Sequence, residues 1–105
     1  TTLAGSAAGV AGSADGAGAD ARFGTLSQIT LDPAGNLYVA DTTNNLIRKI
    51  TPAGVVSTVI GVVGQRNNDL TSTPLHINFP FGVAAIGTGQ LLLTAHPVVL
   101  RASVP

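Results

Sequence analysis

The sequence predicts an all-β fold, a segment of a β-propeller, on three observations. Short apolar stretches bounded by turn residues fill residues 32–54, a blurred copy of them returns at residues 85–104, and the apolar positions in both alternate with the period of two of a strand. A strand-rich unit recurring at about fifty residues is the signature of blades that bury their faces on one another, not of a self-contained domain.

Composition supports packed sheets. Hydrophobic residues make up 45% of the chain and aromatic residues only 4%, so the core must be built from small and β-branched side chains. Formal net charge is zero, Glu is absent and Lys49 is the sole lysine. A binder working through phosphate neutralisation needs a basic patch, so a nucleic-acid partner is excluded. With no Cys there are no disulfides, thiolate zinc sites or thiol nucleophiles. No apolar run approaches the roughly 20 residues of a membrane-spanning helix. No secretory leader pattern opens the chain, and Thr1 stands where an initiator Met would, so a processed product or a fragment is expected.

The elements follow in order. Residues 1–4 read as a short extended piece. Residues 5–21 are rich in Gly, Ala and Ser and read as an ordered loop with room for one tight helical turn before Phe23. Residues 29–32 alternate as a half-buried strand. Pro33, Gly35 and Asn36 then supply turn chemistry. Residues 37–41, 46–51 and 55–60 read as three further strands, joined by the polar link 42–45 and the turn 52–54. After a long loop at 61–78 the pattern restarts, with strands at 80–86, 90–95 and 99–104. At an offset of 54, Ile29 meets Val83, Leu37 meets Leu91, Val39 meets Leu93 and Leu46 meets Leu100. Residues 2–5 match residues 58–61 at an offset of 56. The expected organisation is an outer strand of a preceding blade at 1–5, a complete blade with its lead-in loop at 6–61, and a degenerate second blade lacking its outer strand at 62–105. The strand pattern is one, then four, then three.

Gly35-Asn36-Leu37-Tyr38-Val39-Ala40-Asp41, then Asn45-Leu46-Ile47-Arg48-Lys49-Ile50, and the lead-in from Asp15-Gly16 to Arg22-Phe23 together resemble an NHL repeat. The match is dense over residues 15–61 and departs where the family usually has Pro-x-Gly, since this chain has Leu26-Ser27-Gln28. The second copy keeps Phe79-Pro80-Phe81-Gly82-Val83 and loses the aspartates, like the worn terminal repeat of bacterial NHL propellers. The resemblance implies a propeller of roughly six blades used as a rigid, non-enzymatic interaction platform, frequently exported, hence secreted or at the cell surface.

Two blades alone leave apolar faces open and edge strands unpaired. The expected partner is therefore the rest of its own propeller, supplied by a longer parent chain or by a homo-oligomer. In the second case residues 1–4 of one copy would complete the sheet left open at 99–104 of the next, and about three copies would close a ring.

Candidate sites are few. Asp41 and Arg48 sit on adjacent strands, and the offset of 54 pairs them with Ala95 and Ala102; both charges vanish together, as a structural ion pair predicts. Asp15 and Asp20 lie in a Gly-rich loop, but calcium wants six to eight oxygens and no third carboxylate is near. His76 and His96, the only histidines, read as solvated loop residues that lack the further ligands of a metal site. Ser27, Ser57 and Ser72 read as strand or turn residues, with no triad spacing. No cofactor or metal is expected. The 42–45 link and the inter-blade loop belong to one propeller face and the tight turns to the other. Loops on a rigid scaffold are where binding concentrates, so Arg22, Asn44, Asn45, Arg66, Asn67, Asn68 and Asp69 are the candidate binding residues, for a protein or a glycan. A purely structural blade module is the alternative. A metal enzyme would need inward-facing acids or His on the innermost strands, where only Asp32 is offered.

Overall fold

The computed structural model describes residues 1–69, 71 and 75–105. Among these, eight strands form two antiparallel sheets: β1 (Gly16–Ala17), β2 (Leu26–Leu31), β3 (Leu37–Asp41), β4 (Leu46–Ile50) and β5 (Val55–Ile60), ordered β1-β5-β4-β3-β2, and β6 (Pro80–Gly87), β7 (Gln90–Ala95) and β8 (Val98–Ser103), ordered β6-β7-β8. Strands β2 to β5 and β6 to β8 are meanders, because turns such as 32–36 are too short for anything but an antiparallel return, while β1 joins the first sheet at its β5 edge. The chain is a segment of a β-propeller, two consecutive blades packed face to face.

The repeat is visible in the pairing. Leu26↔Asp41, Ile29↔Val39 and Leu31↔Leu37 in the first blade recur 54 residues on as Pro80↔Ala95, Val83↔Leu93 and Ala85↔Leu91, and both innermost strands carry an irregularity at the same place, after Leu26 and after Pro80. The Leu26-Ser27-Gln28 departure thus sits on a bulge and leaves the strand intact. Gly5 and Gly61 both have φ of 97°, and their amides donate to Gly18 and Leu75 carbonyls.

The third strands correct the expected alignment. Val39 faces Arg48, whereas its counterpart Leu93 faces Leu100, not Ala102. The first blade links β3 to β4 through a 3-10 turn, Thr42–Asn44, and left-handed Asn45; the second makes the same return with only His96 and Pro97. The connection is two residues shorter, so β8 is shifted by two against the constant offset. The apolar replacement of the ion pair is therefore Ala95 with Leu100.

Two further differences concern the start of the chain. Residues 1–4, expected as an outer strand, form no strand. Residues 5–21 contain the expected tight turn, Gly18–Asp20, and also β1, which pairs with β5 through Gly16↔Val56 and Ala17↔Val55. Gly and Ala carry no alternating apolar signal, which is why β1 was not expected.

Alternation decides the packing. Tyr38, Ala40 and Ile47 point from the first blade into the inter-blade core, where they meet Leu91, Leu93 and Ala95 of the second. The opposite face of the first blade, Val39, Ile50 and Val56, is covered by Ala4, Ala21 and Phe23 of the lead-in loop. The innermost strands are stitched by polar bonds: the Ser27 hydroxyl donates to the Phe81 carbonyl (3.0 Å), and the Ala85 amide donates to Thr30 Oγ1 (3.1 Å). Exposed apolar side chains remain on both outer sides, among them Ile29 and Leu31 on the first blade and Phe81 and Val99 on the second.

The turn after β2 is held by Asp32, which is 3% exposed. Its Oδ1 accepts the Ala34 and Asn36 amides, each at 2.9 Å, and its Oδ2 accepts the Tyr38 hydroxyl at 3.3 Å. Burial pushes this carboxyl up, but donors from the Asn36 backbone and side chain, the Ala34 amide and Tyr38 outweigh burial and hold its pKa below the ordinary 3.8. Burial first, then the Asp32 charge and hydrogen bond, raise Tyr38 above 10.0. A depressed folded pKa gives stability that is complete above 3.8 and lost as pH falls through the folded value. The drop in urea midpoint between about pH 6 and about pH 3 is accordingly expected to shrink in Asp32→Asn; an unchanged drop would assign the acid loss to other carboxylates.

Candidate functional site

The loop face is built by the link 42–45, the inter-blade loop and the His96-Pro97 turn. The turns at 32–36, 52–54 and 87–89 occupy the other face. The candidate residues divide sharply by what holds them.

Asp41 and Arg48 form the centre of a buried network. Both side chains are fully buried, and Arg48 Nη1 donates to Asp41 Oδ2 at 2.9 Å. Arg48 Nη2 donates to Asp15 Oδ1 and to the Ala14 carbonyl, each at 3.0 Å, and Nη1 also reaches the Arg22 carbonyl at 2.9 Å. The guanidinium carbon lies 4.9 Å from the Phe23 ring centroid. Asp41 Oδ1 accepts the Gly24 amide (3.0 Å) and Oδ2 the Asn44 amide group (2.9 Å). This network fastens the lead-in loop to the blade. Asp15, which the sequence left as a turn residue, is a second anion for Arg48 and also accepts the Thr58 hydroxyl at 2.9 Å. Such pairing across 33 residues leaves no local trace; the signal that was available is that a buried guanidinium needs more acceptors than one carboxylate offers.

Several expected binding residues are engaged internally. Arg22 Nη1 donates to the Ala19 and Ala21 carbonyls. Asn44 Nδ2 also donates to the Gly12 carbonyl at 2.7 Å. Asn68 Nδ2 donates to the His96 carbonyl and its Oδ1 accepts the Asn78 amide, both at 2.9 Å. Asp69 pairs with His76 through reciprocal backbone bonds, and its Oδ1 accepts the Thr71 amide and hydroxyl. Arg66 and Asn67 are exposed.

The structure brings Asn45 and Arg66 together with residues that were not foreseen. They line a hollow of about 420 Å3 with Thr42, Thr43, Asn78 and Phe79, on the loop face at the junction of the two blades. Asn45 adopts φ 58° and Phe79 φ 49°, and the Asn45 Oδ1 accepts the Phe79 amide at 2.7 Å. Phe79 remains 55% exposed. On its other side lies an apolar hollow of about 510 Å3 lined by Phe81, His96, Pro97 and Val99.

His96 is exposed, but His76 is half-buried and its Nδ1 is buried without a partner among the described residues, which corrects its reading as a solvated side chain. Among the described residues no three His, Cys, Asp or Glu side chains gather, and Asp32 is committed to its turn. Ser27 lies in β2 and Ser57 in β5, as strand residues; Ser72 lies outside the described residues. No described helix is long and apolar enough to cross a membrane.

No family model and no curated protein matches the chain. Solved structures do. A Bacteroides thetaiotaomicron structural genomics protein of unknown function superposes with a TM-score of 0.81 at 25% identity, over 97% of this chain and 26% of its own. An auxiliary nutrient binding protein from the same organism gives a TM-score of 0.68 at 26% identity, over 87% of this chain and 25% of its own. A third Bacteroides protein, provisionally named a phosphatase, gives 0.68 at 18% identity over 91% of this chain and shares the fold alone. The chain thus spans about a quarter of the structures it matches.

Proposed function

We propose that this chain is part of a non-enzymatic, NHL-type propeller that presents its loop face to a protein or glycan partner outside the cytoplasm. The observation that carries this reading is the Asn45–Arg66 hollow, which lies on the loop face between two blades locked by the inter-blade core. A site walled by rigid sheets and floored by hydrogen-bonded loops is preorganised for binding. The nutrient-binding name of one structural neighbour favours the ligand-binding side of this reading. The rest of the propeller, from a parent chain or from further copies, is the expected cover for Phe81 and Val99.

A structural module with no ligand is the second reading. It is favoured by the internal bonds of Arg22, Asn44 and Asn68, which fasten loops to the scaffold. A glycan and extracellular-protein array followed by amide chemical-shift mapping separates the two. Binders are expected to shift Thr43, Arg66, Asn67 and Phe79, and Arg66→Ala with Asn67→Ala to weaken them about tenfold or more. Shifts confined to the tight turns at 33–35 and 87–89 would move the site to the opposite face, and no binder at all would favour the structural module.

A further inference from the structure

We infer that the hollow beside Phe79 is a site for an acidic saccharide, with the sugar ring on the Phe79 side chain and its carboxylate on Arg66. The inference rests on the binding-platform reading and narrows it to one ligand chemistry.

The first observation is a backbone conformation that the fold does not require. A non-glycine residue with positive φ is sterically costly, and for an aromatic residue it is rare. Phe79 holds φ 49°. At the repeat offset of 54, the same place in the first blade is Thr25, which keeps a negative φ. Blade geometry alone therefore does not impose the conformation. The surroundings at the junction do: the Asn45 carboxamide, 7% exposed and itself on a left-handed residue, accepts the Phe79 amide at 2.7 Å. The consequence is a large apolar ring kept more than half exposed instead of turned into the core.

The second observation is the donor balance around that ring. Thr43 Oγ1 uses an acceptor lone pair on the Thr25 amide (2.8 Å), which leaves its hydroxyl proton free. Asn45 uses its oxygen on Phe79, and its Nδ2 remains as a donor. Asn78 and Arg66 add an amide and a guanidinium, and no carboxylate lines the hollow. Arg66 makes no ion pair among the described residues. Thr42 spends its hydroxyl proton on the Pro80 carbonyl at 2.6 Å, so the donors that remain are Thr43, Asn45, Asn78 and Arg66. A concave site with these donors, one cation and no anion favours a ligand rich in acceptors and negatively charged. The exposed ring selects one that also has an apolar face. A pyranose carboxylate combines these: C–H groups on one face, oxygens around the rim, and a charge that a guanidinium grips in a bidentate manner. The volume of about 420 Å3 is of small-molecule size.

The test is calorimetric titration of the protein in its assembled propeller, as the parent chain or the homo-oligomer, with trigalacturonate and with maltotriose, the neutral control, at low and high salt. Trigalacturonate is expected to bind about tenfold or more tightly than maltotriose, and to lose that preference at high salt. Arg66→Gln should abolish the preference while leaving weak neutral binding, and Phe79→Leu should weaken both sugars several-fold while the circular dichroism of the sheets is kept. Equal affinity for the two sugars, binding unchanged by both substitutions, or no binding to the folded chain would each overturn the inference. If both sugars fail while a purified protein partner binds in an Arg66-dependent manner, the acidic-saccharide site falls and the binding-platform reading stands. If nothing binds at this face, both fall.

Discussion

Asp41→Ala is expected to destabilise the chain by about 3–5 kcal/mol, and adding Arg48→Leu is expected to restore part of that loss. The reason is the burial of both side chains, each fully enclosed, with Arg48 Nη1 on Asp41 Oδ2 at 2.9 Å. Removing the carboxylate leaves a guanidinium out of water with only Asp15, which is half exposed, as its remaining anion. It also strands the Gly24 amide, which Asp41 accepts, and leaves the Asn44 side chain with only its bond to the Gly12 carbonyl. Removing the charge as well ends the electrostatic cost. The second blade shows that an apolar pair satisfies the same geometry, since Ala95 and Leu100 occupy the matching positions. Recovery is expected to be incomplete, because Arg48 also holds the Ala14 and Arg22 carbonyls of the lead-in loop. Urea denaturation of the wild type, the two single variants and the double variant closes the cycle. Losses that simply add would mean the two groups do not depend on each other.

The same pair shows where sequence reading reaches and where it stops. Strand alternation and turn residues placed β3, β5 and β7 at their observed bounds, because apolar period and Gly/Pro punctuation are local signals. A constant offset failed at β8, because an offset cannot register a connection that is two residues shorter. Loss of both charges was readable; the residue that replaces Arg48 was not, until the pairing of Leu93 with Leu100 fixed it. Asp15 reads from the sequence as a carboxylate of a Gly-rich lead-in loop and not as a partner of Arg48, since that partner lies on a strand far along the chain. In the candidate site, Asn45 and Arg66 were legible as polar loop residues. Phe79 was not: a left-handed conformation is announced by Gly or Asn, and an aromatic residue held there by a distant carboxamide gives no such sign.

Gly61→Ala is expected to be the most damaging single-methyl change, with a loss of roughly 4 kcal/mol or more. Gly61 has φ of 97°, and an added Cβ would stand 2.3 Å from the Asn45 carbonyl oxygen and 3.2 Å from Leu46 Cα. Both are backbone atoms in the polar link and β4, so neither can swing aside as a side chain does. Backbone conformation alone accounts for about 1–2 kcal/mol at such a residue. Gly64→Ala isolates that part, since Gly64 has φ of 84° with nothing within 4 Å of its Cβ position. The difference between the two variants in urea midpoint measures the clash. The clash has a specific consequence. It pushes on Asn45, whose side chain holds the Phe79 amide, so surviving folded protein should show altered Phe79 ring resonances before the inter-blade core is lost. Gly64→Ala should leave those resonances in place. Equal losses from the two substitutions would mean that the 42–45 link moves freely, and the floor of the hollow would then not be the rigid support that holds Phe79 exposed.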